Sequence, residues 1–79
     1  MMRREAKNIK PDRAGLAERI RSERILKGMT QTELAARAGI DRMTLVAIES
    51  QWRSPRLETL AKVMRALGWD RRQIGAEIL

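Results

Sequence analysis

Seventy-nine residues carry 17 Lys and Arg against 10 Asp and Glu, a net charge of +7 and an isoelectric point near 11.3, which describes one small domain with a polyanion as its expected partner. The chain has no cysteine and no histidine, and this excludes zinc sites, disulfides, thiol nucleophiles and histidine-based acid–base catalysis. The longest apolar run, Leu45–Ile48, is too short for a membrane span or a secretory signal, and no carboxylate pair has the apolar setting of a catalytic dyad, so neither an enzyme nor a cofactor or metal is expected.

Along the chain, residues 1–11 hold Arg3, Arg4, Lys7 and Lys10 against Glu5, with almost no apolar content. They read as a flexible basic arm ending at Pro11, separate from a domain over residues 12–79. Arg3 and Arg4 are candidates for tracking a phosphate backbone, and a merely solvated tail fits equally well. Asp12 is placed to cap a first helix reaching about Lys27, with Gly28 as its stop. Leu16, Ala17 and Ile20 form its inner stripe, and Arg24 continues that stripe where a charge is unexpected. Met29 packs below the turn.

Thr30 with Glu33 three residues on makes a capping box for a second helix, Gln31–Ala38. Asp41 caps a third, from Arg42 to about Ser50. The connection over 51–56 contains Trp52, Arg53 and Pro55. A fourth helix from Leu57 to Leu67 buries Leu57, Leu60, Ala61, Met64 and Leu67 and stops at Gly68. A short last helix follows Asp70 and carries Ile74, Ile78 and Leu79. Nothing reads as a strand, so the fold class is all-α with five helices.

The stretch Gln31 to Ser50, QTELAARAGIDRMTLVAIES, meets the demands of two helices clamped at a sharp turn. Ala35 is small where the helices meet closely. Gly39 supplies the left-handed residue past the second helix, a conformation that costs a side chain bearing Cβ about 1 kcal/mol or more. Leu45 and Ile48, one turn apart, hold the third helix down, and Leu34, Ala38 and Ile40 complete the seam. This is a helix-turn-helix whose second helix is free to enter a major groove. A plain helical hairpin in a bundle would also want small residues and a turn glycine.

The segments RIRSERILKGMTQTELA, AGIDRMTL, IES and SPRLETLAKVMRALG resemble the Xre (Cro/cI-type) helix-turn-helix family of bacterial and phage regulators, over Leu16 to about Ile74. The resemblance implies a lambda-repressor-like DNA-binding domain with a recognition helix over residues 42–50. It implies base reading by Arg42, Met43, Thr44 and Ala47, with Arg42 suited to guanine and the Ala47 methyl to thymine. It implies phosphate contacts from Thr30, Gln31 and Arg53, beside those of Arg3 and Arg4, and a structural ion pair between Arg24 and Glu49. This pair accounts for an arginine on the inner stripe.

Three features depart from the family pattern. Gln51 stands where relatives carry a turn glycine, Trp52 stands in a connection that is usually polar, and Met43, Val46 and Ala47 make the outer face of the recognition helix apolar. Either those side chains meet thymine methyls, or the surface binds a protein such as a toxin. One reading helix spans only a few base pairs, so a homodimer on a pseudo-palindromic operator of double-stranded DNA is expected, with Trp52, Trp69, Ile78 and Leu79 at its interface. The expected function is a cytoplasmic, nucleoid-associated, prokaryotic or phage-encoded transcriptional regulator, a repressor or autoregulator in type. Antitoxins and restriction–modification controllers share this architecture. A protein-interaction module with weak sequence preference is the alternative. The chain leaves no room for a ligand-sensing domain, so control by concentration, dimerisation or a partner protein is expected.

Overall fold

A computed structural model describes residues 13–50 and 55–78. Among them stand five α-helices: α1 Arg13–Leu26, α2 Gln31–Ala38, α3 Arg42–Glu49, α4 Leu57–Ala66 and α5 Arg71–Ile78. No strand occurs among the described residues. Asp12, the expected first cap, lies outside them, as do residues 1–11 and 51–54 with the arm and the connection assigned there.

Three of the helices end alike. In α1, α2 and α4 a glycine with positive φ (Gly28, Gly39, Gly68) follows the last turn. The next residue then donates its N–H five positions back: Met29 to the Arg24 carbonyl at 3.1 Å, Ile40 to Ala35 at 3.0 Å and Trp69 to Met64 at 3.0 Å. This is the Schellman arrangement, which satisfies carbonyls a helix end would leave open. The residue after each glycine is apolar, and each turns back onto the core: Met29 is buried, while Ile40 and Trp69 pack against it half-buried. The dipeptides GM, GI and GW therefore both stop a helix and direct the chain inward.

α2 packs on α3 and on α4, α1 packs on α3, and α5 packs on α4. One core results, with Ile20, Leu34, Leu45, Met64, Leu67 and Val63 fully enclosed. Ala35 is 2% exposed, as the close approach of α2 and α3 requires. Two expectations on α4 change. Leu57, the first residue of α4, is 46% exposed rather than buried. Val63, not expected in the core, is fully buried, so the inner face runs through Leu60, Val63, Met64 and Leu67 at the spacing of an amphipathic helix. Two further apolar residues, Ile25 and Leu26, stand exposed at the end of α1.

α5 is held by side chains as well as by Ile74. Arg19 of α1 lies 5.1 Å over the Trp69 ring and pairs with Glu77, joining the first helix to the last. Asp70 and Gln73 form a second capping box: Asp70 Oδ1 accepts from the Gln73 N–H at 2.8 Å, and Gln73 Oε1 accepts from the Asp70 N–H at 3.1 Å.

Candidate nucleic-acid interface

The seam of Leu34, Ala35, Ala38, Leu45 and Ile48 is buried throughout, which fixes α3 across α2 and leaves the opposite side of α3 outward. Gly39 has φ 75 and ψ 32, the left-handed turn expected of it. α3 is capped by Asp41, whose Oδ1 accepts the Thr44 N–H at 2.8 Å. That backbone bond and the Thr44 side chain hold the Asp41 carboxyl below its ordinary range, because both donate to its charged form.

The residues assigned to base reading divide. Arg42 and Met43 are exposed at the start of α3, Met43 to 60%, with the Arg42 guanidinium 3.9 Å from the Met43 sulfur. Thr44 is half-buried and engaged with Asp41. Ala47 is buried, at 9% exposure, so little of its methyl stands outward. Val46 is half-buried. The outward apolar character of α3 thus rests on Met43 more than on the trio expected.

At the start of α2, Thr30 Oγ1 accepts the Glu33 N–H at 3.0 Å and Glu33 Oε1 accepts the Thr30 N–H at 2.8 Å, completing the capping box. The Thr30 hydroxyl keeps its own proton to donate. The Gln31 and Thr32 N–H groups occupy the first turn, where no intrahelical acceptor exists. Below them, Glu49 is buried at 8% exposure. Arg24 donates to it from Nε at 2.8 Å and from Nη2 at 3.1 Å, and its Nη1 donates to the Met29 carbonyl at 2.8 Å. Gln31 Nε2 donates to the same carboxylate at 3.1 Å. Sequence reasoning paired Arg24 with Glu49 but missed Gln31 as a third member; no spacing signal links residues 18 apart on different helices.

Of the remaining assigned residues, Trp69 is half-buried beneath Arg19. Trp52, Arg53, Arg3, Arg4 and Leu79 lie outside the described residues, as does the side chain of Ile78. No helix among the described residues is long and apolar enough to cross a membrane.

A helix-turn-helix family model matches residues 20–73. Over 49 residues the chain is 45% identical to a protein of Methanothermobacter thermautotrophicus described as an uncharacterized HTH-type transcriptional regulator, covering 62% of this chain and 71% of that one. The restriction-modification controller protein C.AhdI from Aeromonas hydrophila superposes with a TM-score of 0.71 at 30% identity, covering 80% of this chain and 96% of its own. The controller C.Esp1396I, in its structure bound to a 25 base pair operator site, superposes with a TM-score of 0.70 at 27% identity, covering 80% and 83%.

Proposed function

The chain belongs to the Xre (Cro/cI-type) helix-turn-helix family of DNA-binding regulators, and from that membership we propose that it reads a pseudo-palindromic DNA operator as a homodimer and regulates transcription there. The observation that carries this reading is the exposed start of α3, where Arg42 and Met43 stand outward on a helix fixed from behind by the Leu34–Leu45–Ile48 seam. The +7 net charge supplies the long-range attraction.

In this reading Arg42 and Met43 read base edges, with Thr44 supporting them at the groove wall. Thr30 and Gln31, helped by the first-turn N–H groups of α2, take a phosphate. Arg53, Arg3 and Arg4 add backbone contacts that carry affinity without sequence information. Two copies related by a two-fold axis present their α3 helices to half-sites about 34 Å apart on one face of the duplex. Trp69, Ile78 and Leu79, joined by Trp52, are the residues assigned to that dimer contact. Occupancy of a promoter by the dimer represses or autoregulates the adjacent gene, in the cytoplasm of its prokaryotic or phage-bearing host. The similarity to C.AhdI and C.Esp1396I favours a controller role of this kind.

The exposure of Met43 sustains a second reading, a protein-binding surface such as an antitoxin presents to its toxin. Selection of bound duplexes from a randomised pool near physiological salt separates the two. Recovery of a palindrome with half-sites about one helical turn apart supports the operator reading; recovery of unenriched DNA refutes it and leaves the protein-partner reading.

A further inference from the structure

Glu49 is the last residue of α3, Gln31 the first of α2, and Arg24 belongs to α1, so one buried carboxylate joins three helices. Its Oε1 accepts from both Arg24 Nη2 and Gln31 Nε2, each at 3.1 Å, and its Oε2 accepts Arg24 Nε at 2.8 Å. Arg24 is itself anchored to the Met29 carbonyl, at the turn that leads into α2. The Arg24 and Glu49 side chains are 11% and 3% exposed, whereas Gln31 is half-exposed.

This arrangement constrains the Gln31 amide in two ways. A carboxylate accepts hydrogen bonds and donates none, so only the NH2 edge of the amide can face Glu49. With one amide proton held there, the second remains for an acceptor outside. The exposed edge of Gln31 is therefore held as a donor beside the N–H groups of the α2 first turn, in one orientation, before any DNA arrives. A free glutamine would have to be ordered on binding, at the entropic cost of a rotamer-rich side chain.

We propose that Glu49, clamped by Arg24, is a positioning residue for DNA binding: it preorders the Gln31 amide as a phosphate donor and fixes that contact relative to α3, whose last residue it is. The proposal rests on the phosphate role given to Gln31 above. Arg24 and Glu49 touch no phosphate; they act through Gln31, so the pair contributes to affinity beyond its contribution to folding.

The test is a double-mutant cycle on DNA affinity, measured by fluorescence anisotropy on the selected operator and corrected for folded fraction. The pair is replaced by apolar residues of similar length, Arg24→Met with Glu49→Leu, because such swaps commonly preserve a fold. In the native background Gln31→Ala is expected to weaken binding about ten- to a hundredfold, the size of a hydrogen bond to a charged acceptor. In the apolar-pair background the same change is expected to cost less than about twofold, since coupled sites are non-additive. An equal loss in both backgrounds overturns the positioning role while leaving the phosphate contact standing. No loss from Gln31→Ala in the native background removes the phosphate contact, and the positioning role with it. Should the apolar pair fail to fold, side-chain amide relaxation of Gln31 in the native protein decides: a restrained NH2 in the free state supports the proposal, and one as mobile as a solvent-exposed glutamine overturns it.

Discussion

Arg24 grips Glu49 through two parallel hydrogen bonds, Nε to Oε2 at 2.8 Å and Nη2 to Oε1 at 3.1 Å, joining α1 to α3, with the Glu49 side chain buried and that of Arg24 only 11% exposed. A bidentate guanidinium–carboxylate pair is geometrically specific. Its net worth against an apolar pair is small, because desolvation opposes attraction, but each half alone is costly to leave behind.

Glu49→Ala therefore destabilises the domain by about 3–5 kcal/mol, since it strands the Arg24 charge and frees the Gln31 amide. Urea titration followed by circular dichroism measures this. A loss no larger than a surface substitution's ~0.5 kcal/mol would show that the pair is solvated in solution.

Gly39→Ala isolates backbone strain. Gly39 has φ 75, and a Cβ built on it meets nothing within 4 Å, so no clash contributes. The expected loss is about 1–2 kcal/mol, the cost of a left-handed alanine, and Gly39→Asn loses less because asparagine tolerates that region. Equal stability of the alanine variant and the native chain in the same urea titration contradicts the assigned turn.

Asp41 links pH to stability. Its folded-state carboxyl lies below the ordinary value of 3.8, first because the Thr44 N–H donates to it. A depressed folded value means the cap's electrostatic contribution is complete above the unfolded value, about 3.9, and is lost as pH falls through the folded one. Asp41→Asn retains a cap acceptor but has no charge to titrate. Its urea midpoint is expected to fall less steeply than the native chain's below about pH 4; parallel curves would remove Asp41 from the acid limb.

Arg42→Ala tests base reading. Discrimination at one operator position is expected to fall by about 1–3 kcal/mol, with other positions retained. Arg53→Ala instead weakens all duplexes alike and lowers the salt slope by about one. Duplex selection with each variant reads both effects, and an unchanged preference profile for Arg42→Ala defeats its assignment to a base.

Much of the fold was written in local chemistry. The capping box of Thr30 and Glu33, the Asp41 cap and the left-handed Gly39 depend on residues within a few positions of each other, so sequence alone placed α2 as Gln31–Ala38 and started α3 at Arg42. Helical periodicity likewise set Leu16, Ala17 and Ile20 inward. The Arg24–Glu49 pair was legible only through family resemblance, because no local rule connects residues 25 apart.

What tertiary structure decided is what depends on which helix ends where relative to its neighbours. Periodicity cannot say which turns of α4 meet a neighbouring helix, so it buried Leu57, which is exposed, and passed over Val63, which is enclosed. A helical wheel cannot give the exposure of a short side chain, and Ala47 is only 9% exposed. It also cannot bring the first residue of α2 onto the last residue of α3. That meeting of Gln31 with Glu49 arises from the angle at which the two helices cross, set jointly by the small Ala35, the Gly39 turn and the apolar seam behind them.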